Sequence, residues 1–164
     1  MTRRALVAAC EARTVARQWA SWDISSPEPL WFERNQYSRG RKLAKQPAKS
    51  KDAKLYGYDA DGRIARIRTW SGFLGRWHED ELFEWKGRTL TVRRFREDGT
   101  PMNVDRYTHD AIGRLVRHEM HAVEGKRKGT ETFVWKAGLL VRVNVKNWGQ
   151  SWKIGWTEIG RAHV

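Results

Sequence analysis

The chain has 164 residues, a 40% hydrophobic composition and a formal net charge of +13, with ten Trp, five Phe, four Tyr and a single cysteine. The length suffices for one domain with its own core, and the aromatic content excludes a disordered chain. One cysteine excludes an internal disulfide and a multi-cysteine metal site, and Cys10 is interpreted as a small core residue. No apolar run approaches the roughly 18 residues of a membrane span, and no signal-like segment begins the sequence, so we expect a cytoplasmic protein.

Residues 1–33 are predicted to form an N-terminal helix and an extended segment. The helix is expected over residues 3–20, where Ala is abundant and Gly and Pro are absent. Thr2 can cap its start, and Pro27 excludes any continuation. An apolar stripe continues as far as Trp22, which favours a helix that covers a sheet face. The alternative, an amphipathic membrane helix, is less consistent with its mixed charges.

Residues 34–54 carry eight basic side chains and one acidic side chain, a net charge of +7. The segment has no apolar periodicity and is predicted to be a basic loop or arm. Two interpretations stay open: a solvated linker, or an arm that contacts phosphates or an acidic partner. The candidate binding residues of this arm are Arg39, Arg41, Lys42, Lys45, Lys49 and Lys51.

From residue 55 onward, segments of five to nine residues alternate with glycine-containing turns, which predicts antiparallel strands joined by hairpins. Within this region a degenerate unit of about 26 residues recurs four times. Each unit has two aromatic or aromatic-like residues spaced by two, then a turn with Gly, then an aliphatic residue. The units begin at Tyr56, Phe83, Tyr107 and Phe133. Residues two apart share a face of a strand, so these aromatic residues are predicted to form the core.

The first unit, residues 56–64, reads Tyr-Gly-Tyr-Asp-Ala-Asp-Gly-Arg-Ile and resembles the YD repeat of the Rhs family. The third unit, residues 107–115, is similar except that His109 replaces the second Tyr. The second and fourth units depart from the pattern, because Lys86 and Lys136 replace its Asp. The resemblance implies β-hairpin architecture. A short array of such hairpins is similar to immunity and antitoxin-like proteins found beside polymorphic toxins, an analogy of fold rather than of chemistry.

The predicted fold is therefore mainly β. We expect a single domain in which residues 55–164 form an antiparallel meander of about 8–10 strands, as a twisted open sheet, with the N-terminal helix packed on it.

The return strands carry recurring arginines, and two interpretations stay open for them: a solvated face with cross-strand ion pairs, or an anion-binding surface. The candidate partner-binding residues are Arg66, Arg68, Arg93, Arg94, Arg96, Arg117 and Arg142. Three tryptophans near the C-terminus, at a spacing of four, would share one strand face that closes the sheet edge or meets a partner. These are Trp148, Trp152 and Trp156.

No catalytic constellation is recognisable. His118 and His121 are three apart on a predicted strand, which places them on opposite faces and argues against a metal site. His78 beside Glu79 is interpreted as part of a polar turn. No catalytic residue, metal or cofactor is therefore expected.

The sequence favours a non-enzymatic protein-interaction module, an immunity-type inhibitor that occludes an acidic toxin domain. The alternative is a nucleic-acid-binding protein that uses the basic arm and the Arg-rich strands. The oligomeric state stays open.

Overall fold

A computed structural model of the chain describes residues 2–147 and 150–155, and for residues 147 and 150–155 it describes the backbone alone. The helices are α1 (Arg3–Arg13) and α2 (Trp31–Arg34). The strands are β1 (Ala16–Ala20), β2 (Lys42–Leu43), β3 (Ala53–Tyr58), β4 (Ile64–Ser71), β5 (Arg76–Lys86), β6 (Thr89–Arg96), β7 (Pro101–His109), β8 (Leu115–Ala122), β9 (Arg127–Lys136), β10 (Leu139–Asn147) and β11 (Gln150–Gly155).

The predicted meander is confirmed. Hydrogen-bonded neighbours follow the order β11-β10-β9-β8-β7-β6-β5-β4-β3-β1-β2, so nine consecutive strands, β3 to β11, lie in chain order. β1 pairs antiparallel with β3 on one side and with the two-residue β2 on the other. None of the described helices is both long enough and apolar enough to cross a membrane.

The repeat corresponds to hairpins. The first aromatic residue of each unit is buried, with exposed fractions of 4% or less, as predicted. The second aromatic residue, also predicted to be core, is only partly buried at Tyr58, Trp85 and Trp135. In the first and third units, the Asp that follows the aromatic pair closes the turn through its Oδ1. Asp59 accepts from the backbone N–H groups of residues 61 and 63, and Asp110 accepts from those of residues 112 and 114. Gly62 and Gly113 adopt φ angles of +73° and +83°, which favour glycine.

The N-terminal helix is shorter than predicted. α1 starts where Thr2 Oγ1 accepts a hydrogen bond from the Ala5 N–H (3.3 Å), as expected, but it ends at Arg13 rather than at residue 20. The β-branched pair Thr14 and Val15 follows, and such residues favour extended backbone. The Val15 N–H then donates to the carbonyl of Tyr58 (2.8 Å), which starts β1 on the edge of β3. Residues 16–20 therefore form a strand on the edge of β3, although their sequence pattern predicts a continuation of the helix.

The chain divides into two compact units. The first comprises residues 1–26, 38–84 and 92–102. In it, α1 packs Leu6 and Cys10 against Leu82 and Phe95, so Cys10 is a core residue as predicted.

The predicted basic arm is anchored within this first unit. The Trp70 indole N–H donates to the Lys49 carbonyl (2.9 Å), and the Gly72 N–H donates to the Asp52 carboxylate (2.8 Å). The Ser21 N–H donates to the Arg41 carbonyl (3.0 Å), beside the β1–β2 pairing. The segment is thus a loop tied to β1 and β4 rather than a free arm.

The second unit comprises residues 27–37, 85–91 and 103–164. Its main strands are β7 to β11. One face of these strands carries the buried side chains of Tyr107, Phe133, Val143 and Val145. The side chain of Phe32 on α2 is buried as well. Trp31, beside it, stacks on Tyr37 with ring centroids 5.4 Å apart.

Candidate functional site

Arg66, a predicted partner-binding residue, lies in a buried ion-pair network of the first unit. Its guanidinium donates two hydrogen bonds of 2.7 Å to the Asp80 carboxylate on β5 and a third to Glu11 on α1. Arg3 reaches the same Asp80 at 3.3 Å. Because Arg66 is 8% exposed, it holds α1 to the sheet instead of facing a partner.

Arg68 lies in a different environment on β4. Its guanidinium carbon is 3.8 Å from the ring centroid of Trp77, and Trp77 also contacts Trp19 and Trp70 with centroids 5.9 and 5.6 Å away. Burial, and next the charge of Arg66, lower the pKa of Arg68. This cation–π arrangement makes Arg68 part of an aromatic cluster that is half-buried.

The arginines of β6 also differ from one another in burial and ion pairing. Arg93 pairs with Glu84 (2.8 Å) and Arg94 pairs with Glu81 (2.9 Å), whereas Arg96 is exposed. In the first unit, therefore, much of the recurring arginine set is engaged by cross-strand carboxylates.

The remaining predicted residues divide between exposed and undescribed positions. All six residues of the basic arm are exposed: Arg39, Arg41, Lys42, Lys45, Lys49 and Lys51. Trp148 and Trp156 lie outside the described residues, and Trp152 is on β11, where the backbone alone is described.

A basic face lies on the second unit, and it includes the predicted Arg117 and Arg142. Residues that are directly opposite on paired strands share a face of the sheet. The register places Arg106 opposite Glu119, Arg117 opposite Thr132, Arg142 opposite Val134, Lys146 opposite Thr130, and Arg127 opposite His121. We define the basic face as Arg106, Arg117, Arg127, Arg142 and Lys146, all of them exposed.

Carboxylates are scarce on the basic face. At its described paired positions Glu119 is the one acid, and it is shared by Arg117 (2.8 Å) and Arg127 (3.4 Å). Arg106, Arg142 and Lys146 make no ion pair with the described residues. The face ends at an open cleft of about 480 Å³, lined by Glu124, residues 126–130 and Lys146. The arrangement leaves a positive surface that its own sheet does not neutralise.

A polar cluster is buried on the opposite face of the same unit, between the segment before α2 and strands β7 to β9. His118 Nε2 is 2.9 Å from Asp105 Oδ1. The other ring nitrogen, Nδ1, lies 3.3 Å from Glu131 Oε2 and 3.5 Å from Glu28 Oε1. Arg34 pairs with Glu28 and lies 3.8 Å from Glu131. The ligand atoms of Glu28, His118 and Glu131 lie within 4.8 Å of one another, so these three residues could hold a metal ion.

The cluster shifts the pKa values of its members. Burial and the charge of Glu131 raise the pKa of Glu28 to about 7. Burial alone would lower the pKa of His118, but hydrogen bonds to Asp105 and Glu131 outweigh it and raise that pKa to about 9. Burial opposes ionisation of Glu131, yet the hydrogen bond from His118 and the charge of Arg34 lower its pKa. In the protein alone at neutral pH, His118 is therefore a cation among carboxylates.

The sequence pattern did not single out this cluster. His118 and His121 lie on opposite faces, as predicted, and the His121 ring faces the Gly125 carbonyl (3.2 Å). Of the partners of His118, Glu28 is far away in the sequence, whereas Asp105 and Glu131 lie two residues before the first aromatic of the third and fourth units. A signal was present: the residue two before the first aromatic is charged in every unit, namely Lys54, Glu81, Asp105 and Glu131. A charge at an inward strand position marks a buried polar site.

In comparisons with known proteins, no family model, no curated protein sequence and no solved structure matches this chain.

Proposed function

We propose that this protein is a non-enzymatic interaction module whose basic face binds an acidic surface of a partner protein. One observation carries the proposal: Arg106, Arg142 and Lys146 are exposed on one sheet face and make no ion pair with the described residues. Complementary charge across an interface speeds association and selects the partner. Arginine, the commonest residue of this face, presents a planar fork that binds carboxylates through two hydrogen bonds.

The composition of the basic face favours a protein over a single-stranded nucleic acid. Beside the cations, its described paired positions hold Thr, Asn, Val, Glu119 and His121, and none holds Phe, Tyr or Trp. Proteins that bind single strands combine positive charge with aromatic side chains on which the bases stack. The basic face therefore supplies positive charge but no row of aromatic side chains on which the bases of a single strand could stack.

The resemblance of the repeats to YD hairpins suggests a toxin domain as the partner. Four hairpins are too few to enclose another protein, so the mode of action that fits is occlusion: the sheet covers the active site of the toxin, and arginines pair with its carboxylates. This part of the proposal depends on the resemblance, whereas the acidic character of the partner depends on the basic face.

The test is co-purification with the product of the neighbouring gene, with the dissociation constant measured at about 100 mM salt. We expect R106Q/R142Q/K146Q to weaken the complex by at least about tenfold, because three unpaired cations are removed. The matched control is K86Q/R88Q/K136Q, which removes the same charge from three exposed positions on turns and strand ends. Equal weakening by both variants, or no complex at all with the wild type, would overturn the proposal.

Nucleic acid is the competing outcome of the same test. A gel shift with DNA or RNA at ~50 mM salt that disappears by ~200 mM would indicate phosphate binding. Loss of that shift in K45Q/K49Q/K51Q would assign nucleic-acid binding to the basic arm. If the neighbouring gene product also fails to bind, nucleic acid would replace the acidic protein as the proposed partner.

A further inference from the structure

We propose that Glu28, His118 and Glu131 form a binding site for one divalent first-row transition-metal ion, for which Zn²⁺ is the simplest probe. The proposal is independent of the basic face, which lies on the other side of the sheet. A mixed set of imidazole and carboxylate ligands suits such ions better than Mg²⁺ or Ca²⁺, which prefer oxygen ligands throughout.

The distances match a tetrahedral site. With ligand bonds of about 2.0–2.2 Å, two ligands of a tetrahedral Zn²⁺ are about 3.3–3.6 Å apart. His118 Nδ1 lies 3.3 Å from Glu131 Oε2 and 3.5 Å from Glu28 Oε1. Two ligand–ligand distances therefore already match a tetrahedral site, and the ligand atoms of all three residues lie within 4.8 Å of one another. A fourth position is left for water or another ligand.

Neighbouring residues orient two of the three ligands. Asp105 holds His118 through Nε2 (2.9 Å), which leaves Nδ1 directed at the two glutamates. Asn103 donates to the second oxygen of Asp105 (2.7 Å), and Asp105 is 2% exposed. Arg34 donates to Glu28 Oε2, so Oε1 is the atom presented to His118. A carboxylate behind a ligating histidine is a recurrent feature of metal sites.

The charges are also consistent with a divalent ion. A ligating imidazole must be neutral. When the ion replaces the Nδ1 proton of His118 and Glu28 is ionised, the carboxylates of Glu28, Asp105 and Glu131 and the guanidinium of Arg34 sum to a charge of −2. A divalent ion neutralises that charge where the side chains of Glu28 and Asp105 are 10% and 3% exposed. Arg34 is hydrogen-bonded to Glu28 Oε2, the oxygen that does not face His118, and its Nη2 lies 3.8 Å from Glu131 Oε2.

The ion would join three parts of the second unit that are distant in sequence. Glu28 precedes α2, whereas His118 and Glu131 face each other on β8 and β9. A metal bound here would fasten the segment of residues 27–37 onto the sheet, so binding should be visible as a gain in thermal stability.

The experiment is a Zn²⁺ titration of the full chain by competition with a chromophoric chelator, together with the visible spectrum after Co²⁺ substitution. We expect about one Zn²⁺ per chain and a tetrahedral Co²⁺ spectrum. H118N should raise the dissociation constant at least about 100-fold, and D105N, which changes only the residue behind the ligand, about 10–100-fold. H121N is the matched control on the same strand and should bind as the wild type does.

Folding is checked separately, by comparing far-UV circular dichroism and Tm of each variant in EDTA. D105N keeps all three ligands, so it tests the site even if H118N does not fold. Failure of the wild type to bind stoichiometric Zn²⁺, or weakening by H121N equal to that of H118N, would overturn the proposal and leave the cluster as a set of ion pairs.

Discussion

Nη2 of Arg66 and Oδ2 of Asp80 lie 2.7 Å apart between β4 and β5, and Nε of the same arginine reaches Oδ1 at 2.7 Å. The Asp80 side chain is 5% exposed. Two parallel hydrogen bonds between charged groups are among the strongest polar contacts in proteins. Removal of Asp80 would leave the buried guanidinium of Arg66 with Glu11 on α1 as its remaining ion-pair partner, which does not replace the two lost hydrogen bonds.

Asp80→Ala is therefore expected to lower the free energy of unfolding by about 3–5 kcal/mol, measured by urea denaturation. The double variant R66M/D80L should recover much of this loss, because apolar residues of similar volume often replace a buried pair without cost. The control is Asp61→Ala, which removes the exposed partner of Arg63 and should change stability by less than about 1 kcal/mol. Equal effects of D80A and D61A would contradict the assignment.

Glu11 is expected to make the stability depend on pH in the acid range. Burial opposes its ionisation, but the hydrogen bond from Arg17 and the charge of Arg66 outweigh it and hold the pKa of Glu11 below its usual 4.5. A carboxylate with a lowered folded-state pKa stabilises the fold above pH 4.5, and this contribution is lost as the pH falls through the folded-state pKa.

The measurement is urea unfolding of the wild type and Glu11→Gln between pH 7 and pH 3. The stability difference between the two proteins should be largest near pH 7 and should shrink on acidification. Because the Glu11 side chain is 38% exposed and solvent screens its ion pairs, the difference should not exceed about 1 kcal/mol. Glu124→Gln, a change in an exposed turn, should show no such trend.

Gly72 is expected to tolerate no side chain. A Cβ atom there would lie 2.4 Å from the backbone carbonyl of Ser50, which cannot rotate away. Gly72→Ala should therefore displace the basic arm, destabilise the protein by about 1–3 kcal/mol, and speed tryptic cleavage after Lys49 and Lys51. At Gly57 the nearest atom is Thr14 Cγ2, at 3.0 Å, in a side chain that can move, so Gly57→Ala should cost less. The opposite order would show that the loop is not held by this contact.

The turn aspartates of the first and third units are expected to have the same role. Asp59→Ala and Asp110→Ala each remove the acceptor of two backbone N–H groups, so both should lower Tm in thermal denaturation. Asp110 also accepts a hydrogen bond from Arg114 Nε (2.8 Å), so D110A should lower Tm at least as much as D59A. Asp→Asn keeps the acceptor oxygen and should lower Tm less. Asp61→Ala changes the same turn without removing either bond, so a loss as large as that of D59A would contradict this role.

Much of the sheet was predictable because its determinants are local. Tight turns need glycine at positive φ, and paired aromatics two residues apart indicate a strand face. The end of α1 was predicted less well, since residues 16–20 have a helical pattern but find the unpaired edge of β3. A pairing between segments distant in the sequence is not visible in local propensity.

The candidate sites depended more on tertiary structure. The arginines of the return strands were recognised as a group, yet the sequence could not tell Arg66, which is buried against Asp80, from Arg142, which is exposed. Burial and pairing depend on which carboxylate lies across the sheet or on α1, and the register and helix packing decide that.

The sequence by itself therefore determined the antiparallel hairpins, the aromatic core and the positive charge, because turn chemistry and strand periodicity act over a few residues. Only the tertiary structure decided which cations form the basic face, and only it brought Glu28 to His118 and Glu131. A segment before a short helix must pack against two strands about a hundred residues later in the chain for that cluster to exist, and such contacts leave no periodic signal in the sequence.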